Sequence, residues 1–108
     1  MPTDTLLVLS TCPDADTAQR LARALVEDRL AACVSIVGPV TSIYRWRGAV
    51  ETAGEVLLLA KTRADRYAAL EQALRAWHPY EVPEIVAVPV EQGLHDYLDW
   101  VRSCTDVS

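Results

Sequence analysis

The sequence predicts a two-layer α+β domain with element order βαββαβ and a short extra helix at the end. Three observations point there. Apolar runs of strand length alternate with two segments of helical periodicity. A stretch near Leu6 is echoed near Leu57. Two long strand-like segments meet at a single glycine, Gly48.

The first apolar run, residues 5–11, reads as a strand that Pro13 ends, with Asp14 or Asp16 available to cap the helix that follows. In that helix, expected from about Asp16 to Arg29, Ala18, Leu21, Ala22, Leu25 and Val26 fall on one stripe. Ala32 to Val37 reads as the second strand. Gly38-Pro39 interrupts it, because proline cannot donate to a ladder. Strand character resumes from Val40 to Arg47, with Thr41, Ile43 and Arg45 on one face and Ser42, Tyr44 and Trp46 on the other. Gly48 turns the chain, and Val50 to Thr62 returns as a third strand with Val56 to Ala60 as its buried centre. Asp65 is placed to cap a second helix carrying Tyr67, Leu70, Leu74 and Trp77, which Pro79 stops. Glu84 to Val90 is the last main strand. A short helix from about Leu94 to Ser103 is expected to turn Leu94, Tyr97, Leu98 and Val101 inward.

The echo is regular. Leu6 to Thr11 followed by Asp14 matches Leu57 to Thr62 followed by Asp65, at an offset of 51 residues throughout. Each half is strand, helix, strand. Right-handed crossovers then favour a four-stranded sheet with both main helices on one face, the ferredoxin-like arrangement. The hairpin strands exceed what such a sheet needs. Tyr44, Trp46 and Val50 lie beyond any helix that would cover them, so pairing with another chain is expected.

Composition narrows the function. The 108 residues are 51% hydrophobic, enough for one core in one domain spanning 1–108. No apolar run reaches the ~20 residues of a membrane span. Met1-Pro2-Thr3-Asp4 lacks a basic leader, so a cytoplasmic setting is expected. A net charge of −5 without a basic cluster excludes nucleic acid as a natural partner. Cys12, Cys33 and Cys104 are odd in number and form no C-x-x-C, which argues against a disulfide framework and a structural zinc site. Cys33, within Leu-Ala-Ala-Cys-Val, reads as a buried inert thiol. There is no phosphate-binding glycine loop and no supported Ser–His–Asp set, so no enzymatic activity is expected. His95, Asp96 and Asp99 read as a solvated helix face.

Lys61 closes an apolar strand and therefore needs water or a carboxylate, with Glu84 the first choice and Glu55 a second. Such a pair reads either as a structural ion pair at a subunit seam or as part of an anion or small-ligand pocket between subunits, lined by Trp46, Lys61, His78, Tyr80, Glu84 and Trp100, where aromatic walls and a few polar groups suit ligands.

Several motifs follow one another in the order of a known family. They are Leu30-Ala31-Ala32-Cys33-Val34, Ser42-Ile43-Tyr44-Arg45-Trp46-Arg47-Gly48, Glu55-Val56, Lys61-Thr62, His78-Pro79-Tyr80-Glu81-Val82-Pro83-Glu84 and Tyr97-Leu98-Asp99-Trp100. The sequence resembles the CutA family over about residues 6 to 101. The resemblance implies a ferredoxin-like subunit, a homotrimer similar to that of the PII signalling proteins, a cytoplasmic role in divalent-cation tolerance, and a divalent cation such as copper as a ligand. It also implies three copper ligands, a cysteine ending the first strand and two adjacent histidines. Those positions fall on Ser10, Trp77 and His78, so His78 alone is retained, with Cys12 two residues from Ser10 as a substitute thiol. The leading expectation is a trimeric binding or sensing module. A structural or adaptor trimer and an enzyme acting at the same clefts are the alternatives.

Overall fold

The structure is a computed structural model describing residues 3–107; Met1, Pro2 and Ser108 lie outside the described residues. Its order is β1 (Thr5–Cys12), α1 (Ala15–Glu27), β2 (Cys33–Trp46), β3 (Ala49–Arg63), α2 (Tyr67–Trp77), β4 (Val86–Pro89) and α3 (His95–Cys104). The strands form one antiparallel sheet in the order β2-β3-β1-β4. This is the ferredoxin-like topology that the internal echo predicts.

The two copies of the echoed motif begin their helices differently. Asp14 caps α1, its carboxylate accepting from the Thr17 N–H at 2.8 Å. Asp65 does not cap α2. A 3-10 turn over Ala64–Arg66 intervenes, and the Asp65 carboxylate takes the Arg63 guanidinium at 3.0 Å instead. The hairpin turn has Arg47 at φ 50° and Gly48 at φ 84°. Positive φ at both central residues fits the tight turn that matches strand twist.

Alternation along the strands separates two unlike sheet faces. Val8, Cys12, Leu58 and Ala60 point to the helix layer, where Leu21, Leu25, Leu70 and Leu74 meet them in one core. Trp77 packs on the margin of that core. The second face carries Leu7, Leu9, Leu57 and Leu59, all half-buried, with Val37, Val86 and Val88 more exposed. Neither α1 nor α2 covers it.

Helix α3 crosses the Lys61 end of this second face. Val101 is its buried anchor, and Arg102 ties it to Asp4 at 3.0 Å. The expected inward stripe is only partly observed. Leu94 is 74% exposed, because it stands outside the helix as its N-cap residue. The last strand is also shorter than expected, since residues 78–85 are spent rounding the end of the sheet.

Ser10 faces the helix-side core. Its hydroxyl is fully buried and has no protein hydrogen-bond partner among the described residues. An unsatisfied buried hydroxyl costs about 1–3 kcal/mol. Ser10→Ala is therefore expected to stabilise the fold by about 1 kcal/mol, less than that cost because a small void replaces the oxygen. Thermal melting checks this, and an unchanged or lowered Tm counts against it.

Candidate functional site

The second face has an acidic, aromatic cleft at the end away from α3. It measures about 770 Å³. Thr11, Ser42, Ile43, Tyr44, Trp46 and Glu55 line it from the strands, and residues 79–84 line it from the loop after α2. Its position follows from the hairpin. Strand β1 ends opposite Val56, while β2 and β3 continue. Residues 38–39 of β2 bulge against the single residue Val56, between the pairs Val37–Leu57 and Val40–Glu55. The loop fills the space that β1 leaves.

Glu55 lies at the floor of the cleft and is 8% exposed. The Tyr80 hydroxyl donates to its carboxylate at 2.7 Å. The side chains of Ser42 and Thr11 hydrogen-bond to it as well. Desolvation works to raise its pKa, but the three hydroxyls outweigh that and hold it below the ordinary glutamate value. Burial, followed by the Glu55 charge, pushes the Tyr80 phenol up, so it stays a donor.

His78 stands behind this arrangement, 7% exposed. The Tyr80 N–H donates to its Nδ1 at 3.1 Å. Nε2 therefore carries the ring proton and donates it to the Thr11 carbonyl at 2.8 Å. The ring also packs on Tyr80, with centroids 4.7 Å apart. Thr11 thus receives His78 through its backbone and holds Glu55 through its side chain. At the rim, Arg47 reaches from the hairpin turn to Glu81 at 2.9 Å, and its guanidinium sits 5.2 Å from the Trp46 ring centroid.

Of the six residues expected to share a pocket, Trp46, Tyr80 and Glu84 line the cleft and His78 buttresses it. Lys61 and Trp100 lie elsewhere. Lys61 is six residues beyond Glu55 on β3, about 20 Å away at the rise of a strand. Its amine donates to Ser35 Oγ at 3.0 Å and approaches Cys33 Sγ at 3.7 Å, and it does not meet Glu84. Trp100 stands beside Tyr97 on α3, with centroids 5.6 Å apart. Cys33 is only half-buried, because it faces the second face beside Lys61 and Tyr97 rather than the core. In the sequence Glu55 stands out only as a reserve partner for Lys61. The signal for more was a lone carboxylate heading an apolar strand core.

The expected metal ligands do not converge. Both ring nitrogens of His78 are engaged by backbone groups. Cys12 is sealed in the helix-side core, where burial and then the nearby Glu55 charge push its thiol up to about 11, so it holds its proton at neutral pH. No group of three or more His, Cys, Asp or Glu able to hold a metal exists among the described residues.

Among the described residues, three carboxylates have folded-state pKa values below the ordinary range. These are Glu55 through its hydroxyls, Asp4 through Arg102, and Asp14 through the Thr17 N–H. A depressed carboxyl stabilises the fold fully above its unfolded value, about 4, and loses that contribution as pH falls through the folded value. Urea stability is expected to hold near neutrality and fall below about pH 4. Glu55→Gln should lower stability at pH 7 and change it little at pH 2.5. Equal losses at both pH values would remove Glu55 from the acid limb.

The fold and the cleft define a ferredoxin-like α+β protein whose second sheet face bears an acidic, aromatic cleft. A family model described as the CutA1 divalent ion tolerance protein matches residues 6–104, and the chain belongs to that family. The divalent-cation tolerance protein CutA of Thermus thermophilus is 52% identical over 99 residues, covering 92% of this chain and 96% of its own length. The human Protein CutA is 50% identical over 96 residues, covering 89% of this chain and 54% of its own. The chain thus spans about half the length of that vertebrate relative. Among solved structures, CutA from Xylella fastidiosa superposes with a TM-score of 0.94 at 45% identity, covering 96% of this chain and all of its own.

Proposed function

We propose that the protein serves divalent-cation tolerance as a cytoplasmic homotrimeric binding or sensing module, with the cleft by Glu55 as its ligand site. The observation that carries this reading is the uncovered second sheet face. Val37, Val86 and Val88 are 45%, 49% and 46% exposed there, around a centre of half-buried leucines. A contiguous apolar face of this kind marks association. Copies joined through it would bring further walls to the cleft at its end. The number three comes from the family resemblance.

Light scattering at micromolar concentration tests the assembly. A mass of three chains is expected, and a monomer overturns the reading. Calorimetry with Cu²⁺ and Zn²⁺ tests how tolerance is served. With Ser10 and Trp77 at two of the family's ligand positions and both His78 nitrogens occupied, copper binding is expected to be weak. His78→Ala should leave it nearly unchanged, since no bond to the ion is lost. A tight stoichiometric site that vanishes in His78→Ala would place copper on this histidine.

A further inference from the structure

We propose that the cleft by Glu55 takes an organic ammonium ion, a primary amine carried on a short apolar body. This rests on reading the cleft as a ligand site and names the chemistry of its ligand.

Charge is the first reason. Glu55, Glu81 and Glu84 line the cleft, and no lysine, arginine or histidine is among the residues that line it. Glu81 has a cation partner in Arg47. Glu84 has no ion-pair partner among the described residues. Glu55 is nearly buried, yet its hydrogen bonds come from neutral hydroxyls, and His78, the basic side chain that acts on it from behind, spends both ring nitrogens on backbone groups. Hydroxyls orient and stabilise a carboxylate without cancelling its charge. A buried carboxylate is ordinarily paired with a cation, and here the place for that cation opens into the cleft.

The walls are the second reason. Tyr44, Trp46 and Tyr80 present aromatic surface around the carboxylates. Cations on organic bodies are held in this way, with a ring face against the charge and a carboxylate to complete it. The rim already contains one example, the Arg47 guanidinium between the Trp46 ring and Glu81. The volume, about 770 Å³, suits a small organic molecule.

Other ligand classes fit less well. An anion would face uncompensated carboxylates. A bare divalent ion needs several ligands drawn together, and no such group of acidic, histidine or cysteine side chains is gathered there. An ammonium needs one carboxylate and an aromatic face.

Isothermal calorimetry on the native assembly tests this with three probes of one shape, 2-phenylethylamine, 2-phenylethanol and phenylacetate. The amine is expected to bind at least about tenfold more tightly than the alcohol, and phenylacetate not at all, since the difference is a charge-assisted bond to carboxylate. Glu55→Gln should weaken the amine by about tenfold, and raising salt should weaken it further. Glu84→Gln, on an exposed loop where folding is not at risk, should weaken it by about threefold. Equal binding of amine and alcohol, or preference for phenylacetate, overturns the ammonium assignment while leaving the cleft a ligand site. Absence of binding by all three probes overturns both, as it would if a neighbouring copy fills the cleft with its own side chain.

Discussion

Leu58→Ala is expected to lower stability by about 3–5 kcal/mol, near the upper end for a buried leucine. Leu58 is 1% exposed at the centre of the sheet, paired with Ser10 on one side and Ile36 on the other. It packs into the layer formed by α1 and α2. Truncation removes contacts that neighbours on two rigid strands and two helices cannot close over. Chemical denaturation at matched protein concentration, with an unchanged m-value, is the measurement. A loss below about 1 kcal/mol would mean the core collapses onto the site far more freely than this packing allows.

The next residue should behave in the opposite manner. Leu59 points to the second face, between Leu9 and Ser35. Leu59→Glu is expected to leave the subunit folded by circular dichroism and to reduce the mass in solution to that of a single chain. A carboxylate at the centre of an apolar contact has no partner and must be desolvated there, which copies joined through this face avoid by separating. A Leu59→Glu protein that keeps the mass of three chains would locate the contact between copies elsewhere. Two adjacent leucines are thus expected to separate folding from assembly, because a strand presents successive side chains to opposite sides.

The same alternation explains how far the fold was legible in the sequence. The strand and helix order follows from periodicity, and the internal echo points to a four-stranded ferredoxin-like sheet with both main helices on one face. Failures came where local signals were outvoted by tertiary geometry. Asp65 occupies the position equivalent to Asp14, but β3 runs on to Arg63 and the neighbouring guanidinium takes the carboxylate. The site was legible in part. Trp46, from one motif, and Tyr80 and Glu84, from another, share a cleft. Lys61 stands apart from them, although a lysine ending an apolar strand calls for a carboxylate. The structure meets that need with Ser35 and Cys33 instead. Nothing in the sequence could say that both nitrogens of His78 would be taken by backbone groups, since those partners are set by how the loop folds back onto β1.

The hairpin beyond the end of β1 has one more consequence, and it concerns solvent exchange. From Val40–Glu55 to Trp46–Ala49 the two strands pair only with each other. In an antiparallel pair, every second residue turns its N–H and carbonyl away from its partner. Those outward amides of the arm find no acceptor in the sheet of their own chain, so deuterium enters them quickly while the inward ones stay protected. A strand laid along either edge would slow only the amides on that edge. The arm therefore carries, residue by residue, a readable record of which edge another chain has joined.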